Sequence, residues 1–443
     1  MKKIRLLIAA MTVLIIVYGW FSFVRNKGSL ESEYKNNIRQ ADQWVEEGLY
    51  QRAINNYELA IEYNDSEENW DKMFDAYEAR MKEDPEFFSS YVDALTKAME
   101  AHPTNSDYVE QMVDLLMEKG RYQRAYDVLV LAEDNGATSM LLDQKKLECG
   151  YQYNSRYSEY QSFHPFSGGF YSVRKDDLYS FVDSEGKKVE QRDFVYLSQP
   201  NDDGVHVRTD ERDSRLIGAK GIVLGLFEIR VEECGLFREN LIPVQTDGKF
   251  AYYDAFAKNQ FGDYERAGTF QDGRAAVMQD GTWGIIDASG AFVSEDRYAD
   301  IVLDGNGFYM SDDIIIASDG VRYTFYNSKW EPISSFSCER IDRYAGTDLF
   351  AFLRDGKWGF VTSKGEVIVE PEYDEARSFS NGVAAVRKND KWGFITPDNQ
   401  VVVEFIFDNA DYFNEEGSCM VQVPSAKDET VLVWKMIMWK VKR

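Results

Sequence analysis

Few residues in this chain have the types and spacing that chemistry requires. Its 443 residues include three histidines, His102, His164 and His206, and they fall in separate contexts with no H-E-x-x-H or other short ligand spacing. A nucleophilic triad would have to recruit His164 or His206, and no G-x-S-x-G elbow accompanies them. The four cysteines, Cys149, Cys234, Cys338 and Cys419, form no C-x-x-C pair, so each reads as a buried free thiol. Acidic turns such as "NDDG" at Asn201 and "DGNG" at Asp304 lack the D-x-[DN]-x-[DN]-G-x₅-E spacing of a calcium loop, and read as turns. No glycine-rich phosphate loop occurs, and no carboxylate pair stands out among 76 acidic residues. No catalytic, cofactor-binding or metal-ligating residue is therefore assigned. The net charge of −26 argues against nucleic acid as a partner, because phosphate recognition needs clustered Lys and Arg.

The elements that would position any site are repeats. "DGKWGFVTSKGEVIVEPEYD" from Asp355 and "NDKWGFITPDNQVVVEFIFD" from Asn389 are near copies, and "GTWGIIDASGAFV" from Gly281 is a third. Weaker copies put an aromatic where the Trp stands, so the register runs Tyr179, Phe250, Trp283, Tyr323, Trp358 and Trp392, with Ser214 in a poor match between the first two. The spacing is 33 to 40 residues. Each unit has an acidic-aromatic opening, a Gly-led small-residue strand, the Trp-Gly strand, a polar turn and a Val/Ile strand. Alternation puts Trp392 and Phe394 on one strand face, Gly393 and Ile395 on the other. Tyr and Phe replace Trp freely, which suits a core aromatic and not a stereospecific binding residue.

These residues resemble the WG (Trp-Gly containing) repeat family, widespread in bacterial proteins, over about 285 residues. The resemblance implies no activity. Four short strands per unit predict an all-β domain over 157–443, with seven units and a partial eighth from Phe413. They would close as a β-propeller-like ring in preference to running on as a β-solenoid. The terminal strands "SCMVQV" and "VLVWKMI" could complete that ring with the first unit. The basic tail after them reads as the solvated end of a strand, with contact to a membrane surface as the alternative.

Upstream, Gly48, Tyr50, Ala53, Tyr57 and Ala60 recur as Gly120, Tyr122, Ala125, Leu129 and Ala132, 72 residues on. Offsets of three and four place them on one helix face. The order resembles the tetratricopeptide repeat, which implies helical hairpins over 31–152 with a concave, peptide-binding face. A helical spacer is the plainer alternative. At the N-terminus, Leu6–Val24 is uncharged, follows Lys2, Lys3 and Arg5, and ends in Tyr18, Trp20, Phe21 and Phe23. Its length and aromatic end predict an uncleaved signal anchor within 1–27 spanning the membrane through residues 6–24, N-terminus inside.

The expected protein is thus multidomain: a transmembrane helix, an all-α segment and an all-β repeat domain. Its expected role is a non-enzymatic protein-interaction scaffold displayed outside the bacterial cytoplasmic membrane. A cell-envelope glycan-binding module is the alternative, and a hydrolase the third reading. No cofactor is implied.

Overall fold

The structure is a computed structural model that describes residues 30–210 and 212–442. The predicted anchor at 6–24 lies outside the described residues, and no helix among those described is long and apolar enough to cross a membrane. The chain divides into two compact units, 1–150 and 151–443.

The first unit is helical. Helix α1 covers 30–46 and is followed by α2 (Tyr50–Tyr63), α3 (Glu67–Glu83), α4 (Phe88–Ala101), α5 (Ser106–Glu118), α6 (Tyr122–Asp134) and α7 (Met140–Gly150). Gly48 and Gly120 take φ of +73° and +67° in the tight links before α2 and α6, a conformation that costs glycine nothing. The small residues repeated in the sequence, Ala53, Ala60, Ala125 and Ala132, are fully buried together with Tyr57 and Leu129, so neighbouring helices approach closely there. Tyr50 and Tyr122 are half-buried at the first turns of α2 and α6. Asn105 caps α5, accepting hydrogen bonds from the backbone N–H of Asp107 and Tyr108.

The second unit is a ring of eight antiparallel sheets, a β-propeller. Blades 1 to 7 span 162–182, 196–226, 233–264, 266–287, 300–336, 340–373 and 375–407. Blade 7 shows the plan: an inner strand Glu375–Ala376, then Ala384–Lys388, the Trp-Gly strand Lys391–Ile395 and an outer strand Val401–Phe407. Blade 8 takes its three inner strands from the C-terminus, the last being Leu432–Trp439, and its outer strand, Tyr153–Ser155, from the start of the unit. That three-residue strand lies before residue 157, where the repeat becomes visible in sequence; it is too short and too polar to carry a strand pattern of its own.

Both faces of each blade are buried, because each packs on two neighbours. Trp392 and Phe394 join Ala410, Cys419, Val421 and Ile437 of blade 8, whereas Ile395 joins Trp358, Phe360 and Ala351 of blade 6. Blade 8 meets blade 1 in the same way, Met420 and Met436 packing on Tyr171, Val173 and Val182. Closure pairs the first and last strands, Ser155 with Ile437 and Tyr153 with Trp439, and so removes free edges across the seam. Trp439 stacks on Phe413 at 4.0 Å, which places the end of the basic tail in the blade as a strand.

Candidate functional site in the axial channel

The inner strands line the axis of the ring, and one ladder rung recurs in all eight blades. Just after each inner strand, a backbone N–H donates to a carbonyl of the second strand; Asp342 to Ala351, Arg377 to Ala385 and Asp411 to Met420 are three such bonds. In blades 2 to 5 this rung carries Ser198, Gly235, Gly268 and Val302, and in blade 1 His164. In blades 6 to 8 it carries Asp342, Arg377 and Asp411, flanked by Arg343 and Tyr412 one residue on. The framework repeats, and its polar content changes on one arc of the channel.

Hydrogen bonds fix that arc. Tyr412 Oη donates to Asp342 Oδ2 at 2.7 Å, and the backbone N–H of Ser378 donates to the same oxygen at 2.7 Å. Arg377 Nε donates to the Ala410 carbonyl at 2.5 Å and Nη2 to Asn409 Oδ1 at 3.2 Å, with its guanidinium between the rings of Trp392 and Tyr412. Arg343 lies 4.1 Å above the Tyr412 ring. Burial opposes the charge on Arg343, but Tyr412, Asp411 and Asp342 outweigh it and raise its pKa. Arg377 is raised on the same balance, burial against Asp411, Tyr412 and Asp342. Burial first, then the Asp342 carboxylate, pushes Tyr412 up, so it stays a neutral donor.

Two cavities lie along the channel, about 600 Å³ against blades 3 to 6 and about 470 Å³ against blades 1, 2, 5, 6 and 8. Arg343 lines both.

Phe250 and Trp283 border the larger cavity, and the other four register aromatics line neither. Trp283, Trp358 and Trp392 are 5%, 9% and 3% exposed, which removes their indole faces from stacking on a ligand. Tyr323 is buried, Tyr179 and Phe250 are half-buried, and Ser214 is buried against Thr209 Oγ1. Each of the six aromatics faces another on the outer strand, as Trp392 does Phe407 and Trp283 does Tyr298. Trp434 is the eighth register position, opposite Tyr160. Its 42-residue distance from Trp392 hid it, because the hairpin Ser425–Val431 lengthens that unit.

The glycine beside the Trp has its own task. Between the pairs Trp392–Phe407 and Phe394–Val403 the outer strand has two extra residues, a bulge over Gly393. A Cβ there would stand 2.6 Å from the Val403 carbonyl oxygen, and one on Gly359 would be 2.5 Å from that of Val369. Where Thr324 replaces the glycine the bulge is absent, and Thr324 pairs regularly with Ser335. Where Ala251 replaces it, the opposed residue is Gly262.

The residues weighed for other chemistry are held in structural roles. Asp304 Oδ1 accepts from the N–H of Asn306 and Phe308, and Asn201 Oδ1 from those of Asp203 and Val205, which are turns. No group of three His, Cys, Asp or Glu among the described residues could hold a metal ion. All four cysteines are free thiols, and burial pushes Cys149, Cys234 and Cys338 up to about 11.

The outer strand of blade 2 differs from those of blades 3, 5, 6 and 7. Val223–Leu226 of blade 2 has no charged residue and no proline, whereas the outer strands of blades 3, 5, 6 and 7 carry Asp263, Pro332, Glu370 with Pro371, and Glu404. Ile222, Val223, Leu226 and the neighbouring Phe256 are each at least half exposed.

A model of the WG containing repeat matches residues 158–179, 262–283, 358–392 and 392–423. Four stretches of the β unit thus match the WG repeat. The matches begin or end at Tyr179, Trp283, Trp358 and Trp392, so the WG unit runs from one register aromatic to the next and straddles two blades. That offset between WG unit and blade leaves the last sheet short of an outer strand, which residues 153–155 supply. No curated protein matches the chain. Solved structures similar to it include Hsv2p of Kluyveromyces lactis, at 8% identity over 62% of this chain and 96% of that one, with a TM-score of 0.37. A eukaryotic initiation factor matches at 9% identity over 57% and 77%, with a TM-score of 0.39, and the AfRom2 CNH domain at 8% over 66% and 100%, with 0.36. At such identities and scores these likenesses say nothing of ligand or activity.

Proposed function

We propose that the protein is a non-enzymatic interaction scaffold, tethered to the bacterial cytoplasmic membrane through residues 6–24, with both repeat units outside. The helical unit, read as tetratricopeptide-like hairpins, and the WG-repeat propeller would each present surfaces to protein partners. The observation that carries this reading is the outer strand of blade 2. Its free edge offers unpaired backbone N–H and C=O groups beside exposed Ile222, Val223 and Leu226, without the charge or proline that blunts the neighbouring edges. Such an edge accepts an extended segment of a partner as an added strand, with main-chain bonds giving affinity and side-chain contacts giving selectivity. The glycan alternative loses support at Trp283, Trp358 and Trp392, whose faces are buried.

The test places a photo-crosslinking residue at Val223 in the full chain, in the native host, with exposed Glu295, in the segment after blade 4, as a control position. Protein adducts at 223 that vanish on Leu226→Lys are expected. Adducts of lipid or wall polymer alone would overturn the scaffold reading.

A further inference from the structure

The outer strand of blade 2, Val223–Leu226, has no strand beyond it among the described residues. Its inner hydrogen bonds fix which backbone groups stay open. The Phe227 N–H donates to the Ser214 carbonyl at 3.0 Å, and the Gly218 N–H to the Ile222 carbonyl at 2.7 Å, so positions 222 and 227 bond inwards. Backbone groups alternate along a strand, so Val223 and Leu226 turn theirs outwards. A neighbouring antiparallel strand must therefore offer two outward residues at the same separation. A reversed copy of this strand does so: Val223 meets Leu226 and Leu226 meets Val223, about a two-fold axis between Leu224 and Gly225. Phe256 of blade 3 lies beside that axis, because a Cβ on Gly225 would stand 2.4 Å from its carbonyl carbon. Exposed Ile222, Val223, Leu226 and Phe256 of two copies would then meet as one apolar patch.

Charge selects the same occupant. Between Arg215 and Glu228 the single ionisable side chain is Lys220, in a chain whose net charge is −26. Two such chains repel wherever carboxylates face each other, and the outer strands of blades 3, 6 and 7 carry Asp263, Glu370 and Glu404. A basic partner, which the whole chain would attract, finds no carboxylate on the blade 2 strand. Reversal also sets exposed Lys220, before the strand, towards exposed Glu228, after it, in the other copy. Within its own copy Glu228 meets Lys258 at 2.9 Å, so the carboxylate would lie between two ammonium groups.

We propose that two copies of this chain pair through the blade 2 edge, antiparallel, with Val223 of each beside Leu226 of the other. The pairing rests on the scaffold reading of the same strand and names the partner as a second copy of the protein. The strand is four residues long, so the interface is small and the dimer weak and exchangeable.

The test produces two differently tagged full-length copies together in the native host, one with a photo-crosslinking residue at Leu224. Adducts carrying both tags are expected. Val223→Glu or Leu226→Lys, placed in both copies, should cut them by at least about tenfold, because each sets a lone charge against an apolar side chain. V223E/L226K in both copies should restore them to within about threefold of the parent, because reversal sets each new carboxylate against the other copy's new ammonium. A partner other than a second copy has no reason to return with the double variant. Adducts with other proteins alone would overturn self-pairing and leave the scaffold reading standing, whereas adducts with no protein would end both. A double variant as poor as the single ones would also overturn the pairing.

Discussion

At the scale of single residues, the Trp-Gly pair divides into two physical roles. The aromatic fills the space between two blades, and the glycine lets the outer strand bulge across it. Trp392→Ala should cost about 3–5 kcal/mol, the range for truncating a buried large aromatic. Gly393→Val should cost about 1–3 kcal/mol, because the new side chain meets the Val403 carbonyl and the backbone must move. Thr324→Gly, at the regular version of the same site, should cost no more than about 1 kcal/mol. Thermal melts of the three variants check the order, and a Gly393→Val protein as stable as the parent would refute the bulge argument. The size of the aromatic was legible in sequence, since Tyr and Phe substitute for Trp along the register. The bulge was not, because it depends on the pairing of Phe394 with Val403, nine residues away.

At the scale of elements, the seam of blade 8 holds the ring. Tyr153–Ser155 pairs with Leu432–Trp439, the Arg156 N–H donates to the Met436 carbonyl at 2.8 Å, and Glu159 accepts from Ser425 Oγ and the Ala426 N–H. Arg156→Pro removes that donor from a paired strand end and should lower the melting temperature by several degrees more than Arg156→Ala does. Limited proteolysis should then cut first around residues 151–160, because the strand that ties the start of the unit to blade 8 is only three residues long. Equal melting of the proline and alanine variants would show that the seam does not hold the ring. Ring closure was foreseeable from the incomplete last unit, whereas the donor strand was hidden in a three-residue polar stretch.

At the scale of the whole molecule, the pH response follows from buried neutral imidazoles set in a strongly acidic chain. Burial lowers the pKa of His206, with Gly204 O, 2.8 Å from Nδ1, opposing it, and burial also lowers that of His164. The unfolded chain takes up these protons near 6.5 and the folded chain only at lower pH, so their contribution to stability is complete above about pH 6.5 and is lost as pH falls below it. Melting temperature measured from pH 7.5 to 5 should therefore drop, and His206→Asn, which keeps a donor to Gly204 O, should drop less steeply. Identical slopes would show that His206 titrates alike in both states. Taken alone, the amino-acid sequence determined the repeat, its strand alternation, the helical segment and the interchangeability of the register aromatics, because periodic burial leaves a periodic pattern in one dimension. Only the tertiary structure decided which polar residues converge. Arg266, in blade 4, and Arg340 and Arg343, in blade 6, lie up to 77 residues apart, and only closure of the ring brings them to the wall of one cavity.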